Sequence, residues 1–466
     1  MKLACHLTPP HGSRLNITNR TFLICAETEI SLATGLRESS TIKQRFITLS
    51  IHGTTMPIKL DRTRFVETMR AQAKIGGTAD SGLHRLTLSD ADKEVRDWLC
   101  DQMEAAGLSV RIDEFGNMFG RREGMSDTEP VLVGSHLDSQ PYGGIYDGAL
   151  GVVAALEFVR MLNENQIQTE RPVEVVNWTN EEGSRFQPVL QGSGVWAGVL
   201  DLDEQYASTD SKGNTLESEL ERIGYKGECP AEPAEEYDSY LELHVEQGPY
   251  LDANDASVGV VTGIVGLTWG EVTFRGEANH SGATPMHHRS DAMVAAADLV
   301  TDIRRIPGRL GDRTVGTVGS ISVEPDSINV IPGEATMTYG FRDPKATVLD
   351  EAETQVSRAA TAAANREGVE MTREDRARTE PVYFDDQCVD AVANATEELG
   401  YDAMELFSGG VHDATHAHEV CDVGMVFAVS EGGKSHTESE FTSWDDCYNA
   451  ANVLASATLA LANNEA

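Results

Sequence analysis

The sequence predicts an α/β chain with a second, α+β unit set inside it, and three observations carry that prediction. Short β-branched runs alternate with helical patterns from residue 62 to the end of the chain. His and carboxylate side chains follow closely on the ends of several of those runs. Between about residues 263 and 378 the order switches to strand, helix, two strands, helix, strand, the ferredoxin-like arrangement. The expectation is a mixed sheet flanked by helices, interrupted by a smaller ferredoxin-like α+β unit.

The elements follow in order. A helical pattern starts at Arg62, and Ser89-Asp90-Ala91-Asp92 caps a second helix reaching about residue 106. Strands are expected at 109–112 and 131–133, the latter an apolar run ending in Gly134-Ser135-His136. Residues 148–162 read as a buried helix. Strands at 173–178 and 240–245 end near Glu181-Glu182 and His244. In the middle unit, strands at 268–275, 315–323 and 335–342 surround helices at 289–306 and 346–366, and a last strand closes it. The first unit resumes near Pro381, with a strand at 425–429 leading through Gly432-Gly433 to His436. Ser443 caps the final helix. The domains are therefore expected at 56–262 and 379–466, with 263–378 inserted between them.

Residues 1–55 differ in texture. They carry six basic and three acidic side chains, a net of +3 against −38 for the whole chain. They lack clear periodicity, so a disordered extension or a misplaced start before Met56 is expected.

Composition excludes some classes of partner. Lys and Arg total 37 against 75 Asp and Glu, and a net charge of −38 repels nucleic acid and anionic membranes. The acid is dispersed, as in proteins kept soluble in high salt. No segment approaches the ~20 apolar residues of a membrane span, and no signal peptide is evident. Seven scattered Cys without a Cys-x-x-Cys pair fit a reducing cytoplasm.

The chemistry lies in five segments: Gly-Ser-His136-Leu-Asp138, Gly143-Gly144-Ile-Tyr-Asp147-Gly148, Asn180-Glu181-Glu182-Gly, His244-Val-Glu-Gln247-Gly and Gly432-Gly433-Lys-Ser-His436. Each alone could be a turn or a core histidine. Together they fall at loops on one edge of one sheet, where α/β sheets build sites. Three His and several carboxylates there supply the donors for a pair of divalent metals. Ligands of this kind, without thiolate, suit Zn, Mn, Co or Ni. Of two adjacent Glu, one can ligate while its neighbour stays free as a general base. In the inserted unit, His280, Asn329 and Arg342 could be turn residues and a surface ion pair; facing a metal site they would bind a carbonyl oxygen and a carboxylate.

From about Arg62 onward the chain resembles the zinc-dependent exopeptidase and aminoacylase superfamily, in its hydantoinase/carbamoylase branch. That branch holds N-carbamoyl-L-amino-acid hydrolases, beta-ureidopropionases and allantoate amidohydrolases. The strings that carry the resemblance are Gly134-Ser-His136-Leu-Asp138-Ser-Gln-Pro with Gly143-Gly-Ile-Tyr-Asp147-Gly, Asn180-Glu-Glu-Gly-Ser-Arg-Phe186 and His244-Val-Glu-Gln-Gly-Pro249. The resemblance implies His136 and His244 on one metal, Glu182 and His436 on the other, and Asp147 bridging. Glu181 would be the catalytic base, Asp138 would orient His136, and Gln247, His280, Asn329 and Arg342 would bind substrate. It also implies a homodimer formed through the inserted domain, which would act as a lid.

The activity so implied is hydrolysis of the C–N bond of N-carbamoyl (ureido) amino acids to the free amino acid, ammonia and carbon dioxide. Arg342 would grip the substrate carboxylate and His280 the oxyanion. Allantoate hydrolysis, a dipeptidase or aminoacylase activity, and an inactive metal-binding scaffold are the rivals. Retention of Glu181 beside Glu182 argues against the last, since a dead scaffold needs no free base. Ser408-Gly409-Gly410-Val411-His412-Asp413 departs from the branch's usual Gly-Ala-Gly before His-Asp, and residues 1–55 have no counterpart.

Overall fold

The computed structural model describes residues 58–465. The expectations for 1–55 and for Met56 as a start lie outside the described residues. Strands β1 (Ser109–Ile112), β2 (Met118–Arg122), β3 (Val131–His136), β4 (Val173–Trp178), β5 (Ser239–Val245) and β6 (Val258–Ile264) build the first part of a central sheet. The chain then leaves it for β7 (Gly266–Arg275), β8 (Asn279–His280), β9 (Val315–Glu324), β10 (Val330–Ile331), β11 (Glu334–Asp343) and β12 (Glu370–Thr379). It returns as β13 (Val382–Tyr383), β14 (Ala403–Ser408) and β15 (Asp422–Ala428).

The central sheet runs β1-β2-β4-β3-β5-β15-β6-β13, with β14 alongside β6. Its middle strands β4, β3, β5 and β15 are mutually parallel, so their C-terminal ends emerge on one edge. β3, β4 and β5 are buried at every position, which explains their near-continuous apolar runs. Helices Ala149–Glu164 and Trp444–Ala462 lie in the same core as Val133, Val175 and Leu243. The first of them is apolar nearly all round because it is buried nearly all round. Trp178, Trp196, Tyr240 and Phe427 belong to a separate core that includes alternate residues of the same strands. The two expected caps form: Ser89 Oγ accepts from Asp92 N at 3.2 Å, and Ser443 Oγ from Asp446 N at 3.1 Å.

The second sheet is antiparallel, ordered β12-β7-β11-β9. Helices Ala292–Arg305 and Ala346–Glu367 share one core with Val272, Phe274, Met337 and Phe341 of this sheet. β11 alternates buried and half-buried residues, as a strand covered on one face must. β8 and β10 form a separate two-stranded ribbon. Strands β2, β6 and β14 and the helix Asp386–Leu399 are elements the sequence pattern did not announce. Among the described residues no helix is long and apolar enough to cross a membrane.

Candidate metal centre

The parallel strands deliver the side chains. His136 is the last residue of β3, and Glu181 and Glu182 stand just beyond β4. His244 is the penultimate residue of β5, and the loop after β15 carries His436. Asp147 precedes Gly148, which caps the helix Ala149–Glu164 at φ 62°. A Cβ at position 148 would lie 2.4 Å from the His136 ring, so the close approach and the backbone conformation both demand glycine.

Two triads result, His136–Asp147–His244 and Asp147–Glu182–His436, and within each the ligand-type atoms lie within 4.8 Å of one another. Asp147 belongs to both. The imidazoles are oriented from behind: His136 Nδ1 lies 3.0 Å from the Asp138 carbonyl and His244 Nδ1 2.9 Å from the Val245 carbonyl. Nδ1–H donation to a carbonyl makes each Nε2 the acceptor aimed inward, and that of His244 accepts from Gly148 N at 3.3 Å. His136 Nε2 is buried without a hydrogen-bond partner, 3.5 Å from Asp147 Oδ1 and 3.5 Å from Glu181 Oε2. Gln247 Nε2 donates to Asp147 Oδ2 at 2.9 Å and lies 3.2 Å from His436 Nε2, so these two acceptors also converge. An orphaned buried nitrogen and converging lone pairs are what a cation site presents before it is filled. The donor set suits Zn, Mn, Co or Ni.

Electrostatics agree with that fit. Burial opposes ionisation of Asp147, but His244 and His136 outweigh it and hold its carboxyl well below the usual range. Burial pushes Glu181 and Glu182 well above the usual range; Asp413, Glu182 and Asp147 add to this at Glu181, and Asp147 and Asp138 at Glu182. More acid is packed here than the protein alone can keep ionised, and divalent cations would relieve that repulsion. The adjacent glutamates differ in their commitments. Glu182 accepts from Gln140 N at 2.9 Å and from Gln140 Nε2 at 2.7 Å, and it joins the second triad. Glu181 belongs to neither triad. Asp138 holds both in place, accepting from Glu181 N and Glu182 N at 3.3 Å each, and is itself fixed by Thr87 Oγ1 at 2.6 Å.

Several supporting residues escaped the sequence reading. Glu440 accepts from Asp147 N at 3.3 Å and from Ser435 Oγ at 2.9 Å, and burial raises its carboxyl to about 7. Glu242 accepts from Ser135 Oγ at 2.8 Å and from Ala414 N at 3.1 Å beneath the site. His412 packs against His244 with ring centroids 4.4 Å apart, its Nε2 2.8 Å from Ser408 Oγ. Arg85 is fully buried and donates to the Leu137 carbonyl at 2.6 Å, to the Gln72 and Ile75 carbonyls at 3.1 and 3.0 Å, and to Gln72 Oε1 at 2.9 Å. It thereby braces the loop between His136 and Asp138. Of these Glu440 had a local signal in its place four residues after His436, and His412 in the His412-Asp413 step.

A cavity of about 490 Å³ opens from His436, Ser435 and Gln247 and is walled by Arg342, Arg313, Phe407 and Phe427. Arg342 donates to the Gly409 carbonyl, which ties the second sheet to the segment that departs from the family pattern. His280 and Asn329 are elsewhere. Both are exposed on or beside the β8–β10 ribbon, where Asn329 Oδ1 accepts from Ser281 Oγ at 3.0 Å and His280 Nδ1 from Gly282 N at 3.0 Å. The structure thus gathers His136, Asp138, Asp147, Glu181, Glu182, His244, Gln247 and His436, sets Arg342 on the same cavity, and leaves His280 and Asn329 outside it.

The profile of peptidase family M20/M25/M40 matches residues 132–460. An N-carbamoyl-L-amino-acid amidohydrolase of Rhizobium meliloti is 40% identical over 402 residues, covering 86% of this chain and 96% of that protein. One from Geobacillus stearothermophilus is 38% identical, covering 84% of this chain and 96% of that protein. Among solved structures, an amidase of the hydantoinase/carbamoylase family from Burkholderia multivorans superposes with a TM-score of 0.83 at 42% identity, covering 87% of this chain and 98% of that one.

Proposed function

The chain belongs to peptidase family M20/M25/M40, and we propose that within it the enzyme hydrolyses N-carbamoyl L-amino acids to the amino acid, ammonia and carbon dioxide. The observation that carries this is the pair of triads sharing Asp147, with an uncommitted Glu181 beside them and a cavity leading to Arg342. His136, Asp147 and His244 would hold one divalent ion, and Asp147, Glu182 and His436 the other. Such ions would polarise water and the carbamoyl oxygen.

The chain's own residues do the rest. Glu181 takes the proton of the attacking water, and its buried, raised carboxyl suits it to keep that proton and return it to the leaving amine. Asp138 fixes the backbone of both glutamates, and Arg342 grips the substrate carboxylate as a planar two-pronged donor. His280 and Asn329 reach the reacting group by closure of the unit 263–378 over the centre, or from a second copy in a homodimer. Closure would exclude water and complete the oxyanion donors together. The unpaired thiols at Cys100, Cys229, Cys388, Cys421 and Cys447 support a reducing, cytoplasmic setting. The test is ammonia release by Zn-, Mn- or Co-loaded enzyme on N-carbamoyl L-amino acids, beta-ureidopropionate and allantoate. Turnover of the first class well above the others is expected; turnover of allantoate alone would replace the reading.

A further inference from the structure

Resting on that carbamoylase reading, we infer that the cavity takes a second anionic group, so that N-carbamoyl derivatives of the acidic amino acids are the enzyme's preferred substrates. The observation is a pair of arginines left free in a protein with acid to spare. With 75 Asp and Glu against 37 Lys and Arg, most of the described guanidinium groups hold a carboxylate. Arg64, Arg96, Arg121, Arg185 and Arg373 each hold one. Among the described residues Arg313 and Arg342 are in no ion pair, and both line the cavity that opens from His436.

They are tethered to different walls. Arg342 is anchored by the Gly409 carbonyl, whereas the Arg313 guanidinium lies over the Tyr250 ring, 4.8 Å from its centroid. Stacking occupies a face of the guanidinium and leaves its N–H edge free to donate. The neighbouring Glu246 acts on Arg313 through space but makes no direct ion pair with it, its carboxylate accepting instead from Tyr250 N at 2.7 Å and Leu251 N at 2.8 Å. One arginine meets the carboxylate common to all amino acids; the other meets a side-chain carboxylate. Val265, Leu406, Phe407 and Phe427 line the same space and would pack the methylenes between the two charges. Their low polarisability strengthens the attraction at each end. The field of a chain carrying −38 would otherwise repel a dianion, so two unpaired cations in this cavity oppose the protein's own charge where a substrate must enter.

The experiment compares kcat/KM of metal-loaded enzyme on N-carbamoyl-L-glutamate with N-carbamoyl-L-glutamine, and on N-carbamoyl-L-aspartate with N-carbamoyl-L-asparagine. Each pair matches in shape and differs in charge. The acid-to-amide ratio is expected at ~10-fold or more for at least one pair, the scale of a hydrogen bond to a charged group. It should fall to near one in Arg313→Gln, and in the wild type it should shrink as salt is raised. Amides cleaved as fast as acids, or a ratio that survives Arg313→Gln, would overturn the inference and leave the carbamoylase reading standing. If none of the four compounds is cleaved while N-carbamoyl derivatives of neutral amino acids are, this inference alone falls; if no N-carbamoyl amino acid is cleaved, the carbamoylase reading falls and takes this inference with it.

Discussion

Replacing Glu181 by Gln and, separately, Glu182 by Gln should split metal binding from turnover. Glu181 has no side-chain hydrogen bond among the described residues, belongs to neither triad, and lies 3.5 Å from His136 Nε2. Gln at 181 therefore breaks no bond and removes a carboxyl that burial disfavours as an anion. Melting temperature should hold or rise, and metal content should stay at the wild-type level. Turnover should fall by ~10²- to 10⁴-fold, the contribution of a positioned general base; at 1.36 kcal/mol per decade that is about 3–5 kcal/mol of barrier. Glu182→Gln is the opposite case. Glu182 supplies one of three donors to its triad while accepting from Gln140 N at 2.9 Å and Gln140 Nε2 at 2.7 Å. An amide there sets an N–H against a donor, costing ~1–3 kcal/mol, so the second ion should bind at least ~10-fold more weakly. The assay is ammonia release alongside elemental analysis of each desalted variant. Metal lost from Glu181→Gln and kept by Glu182→Gln would show the two roles to be reversed.

Other outcomes follow from the same geometry. Arg342→Ala should raise KM for carboxylate substrates by ~10- to 100-fold with metal content unchanged, and Arg342→Lys should not restore it; wild-type kinetics in the alanine variant would remove the carboxylate clamp. Arg85→Met should cost ~3–5 kcal/mol by stranding buried carbonyls and should weaken metal binding through the loop that carries His136; retention of wild-type melting and metal affinity would contradict the bracing role. Asp113 is fully buried and burial raises its carboxyl from 3.8 to about 7. The folded chain therefore holds a proton there that the unfolded chain releases above about pH 4, and stability falls as pH rises from about 4 to 7, by up to ~4 kcal/mol. Asp113→Asn should flatten that part of a melting-temperature profile, and an unchanged slope would assign it to other groups.

The parts of this molecule that could be read in advance share a property: their signals are local. β3 is a short apolar run that stops at Gly134-Ser135-His136, and the neighbouring β4 and β5 stop in the same way, so parallel pairing alone lines up their ends. The inserted unit was legible because its two helices and four long strands keep clean periods. What stayed hidden depends on distant partners. Asp92 and Arg96 stand four residues apart on a helix, a spacing common to exposed pairs, yet both are fully buried, with Arg96 also donating to the Gly116 carbonyl at 2.7 Å. Arg85 finds only neutral oxygens, a choice no pattern announces. β6 is weakened as a signal by Gly259 and Gly263, but Leu406, Phe427 and Phe407 press so closely on those glycines that larger residues would clash. His280 and Asn329 were expected to face the metal site; the pairing of β8 with β10 sets them beside each other on the ribbon instead, and their distance from the cavity belongs to the arrangement of two sheets, which sequence spacing does not encode.

The central claim is that Asp147 joins two metal sites which the hydrolysis of N-carbamoyl amino acids requires. Its most direct test is to strip the enzyme with a chelator, add back Zn, Mn or Co in fractions of an equivalent, and follow bound metal and ammonia release together. The account predicts a silent metal-free enzyme, saturation at two ions per chain, and loss of both ions and activity in Asp147→Asn. Full ammonia release from chelator-treated enzyme holding far less than one ion per chain would contradict it.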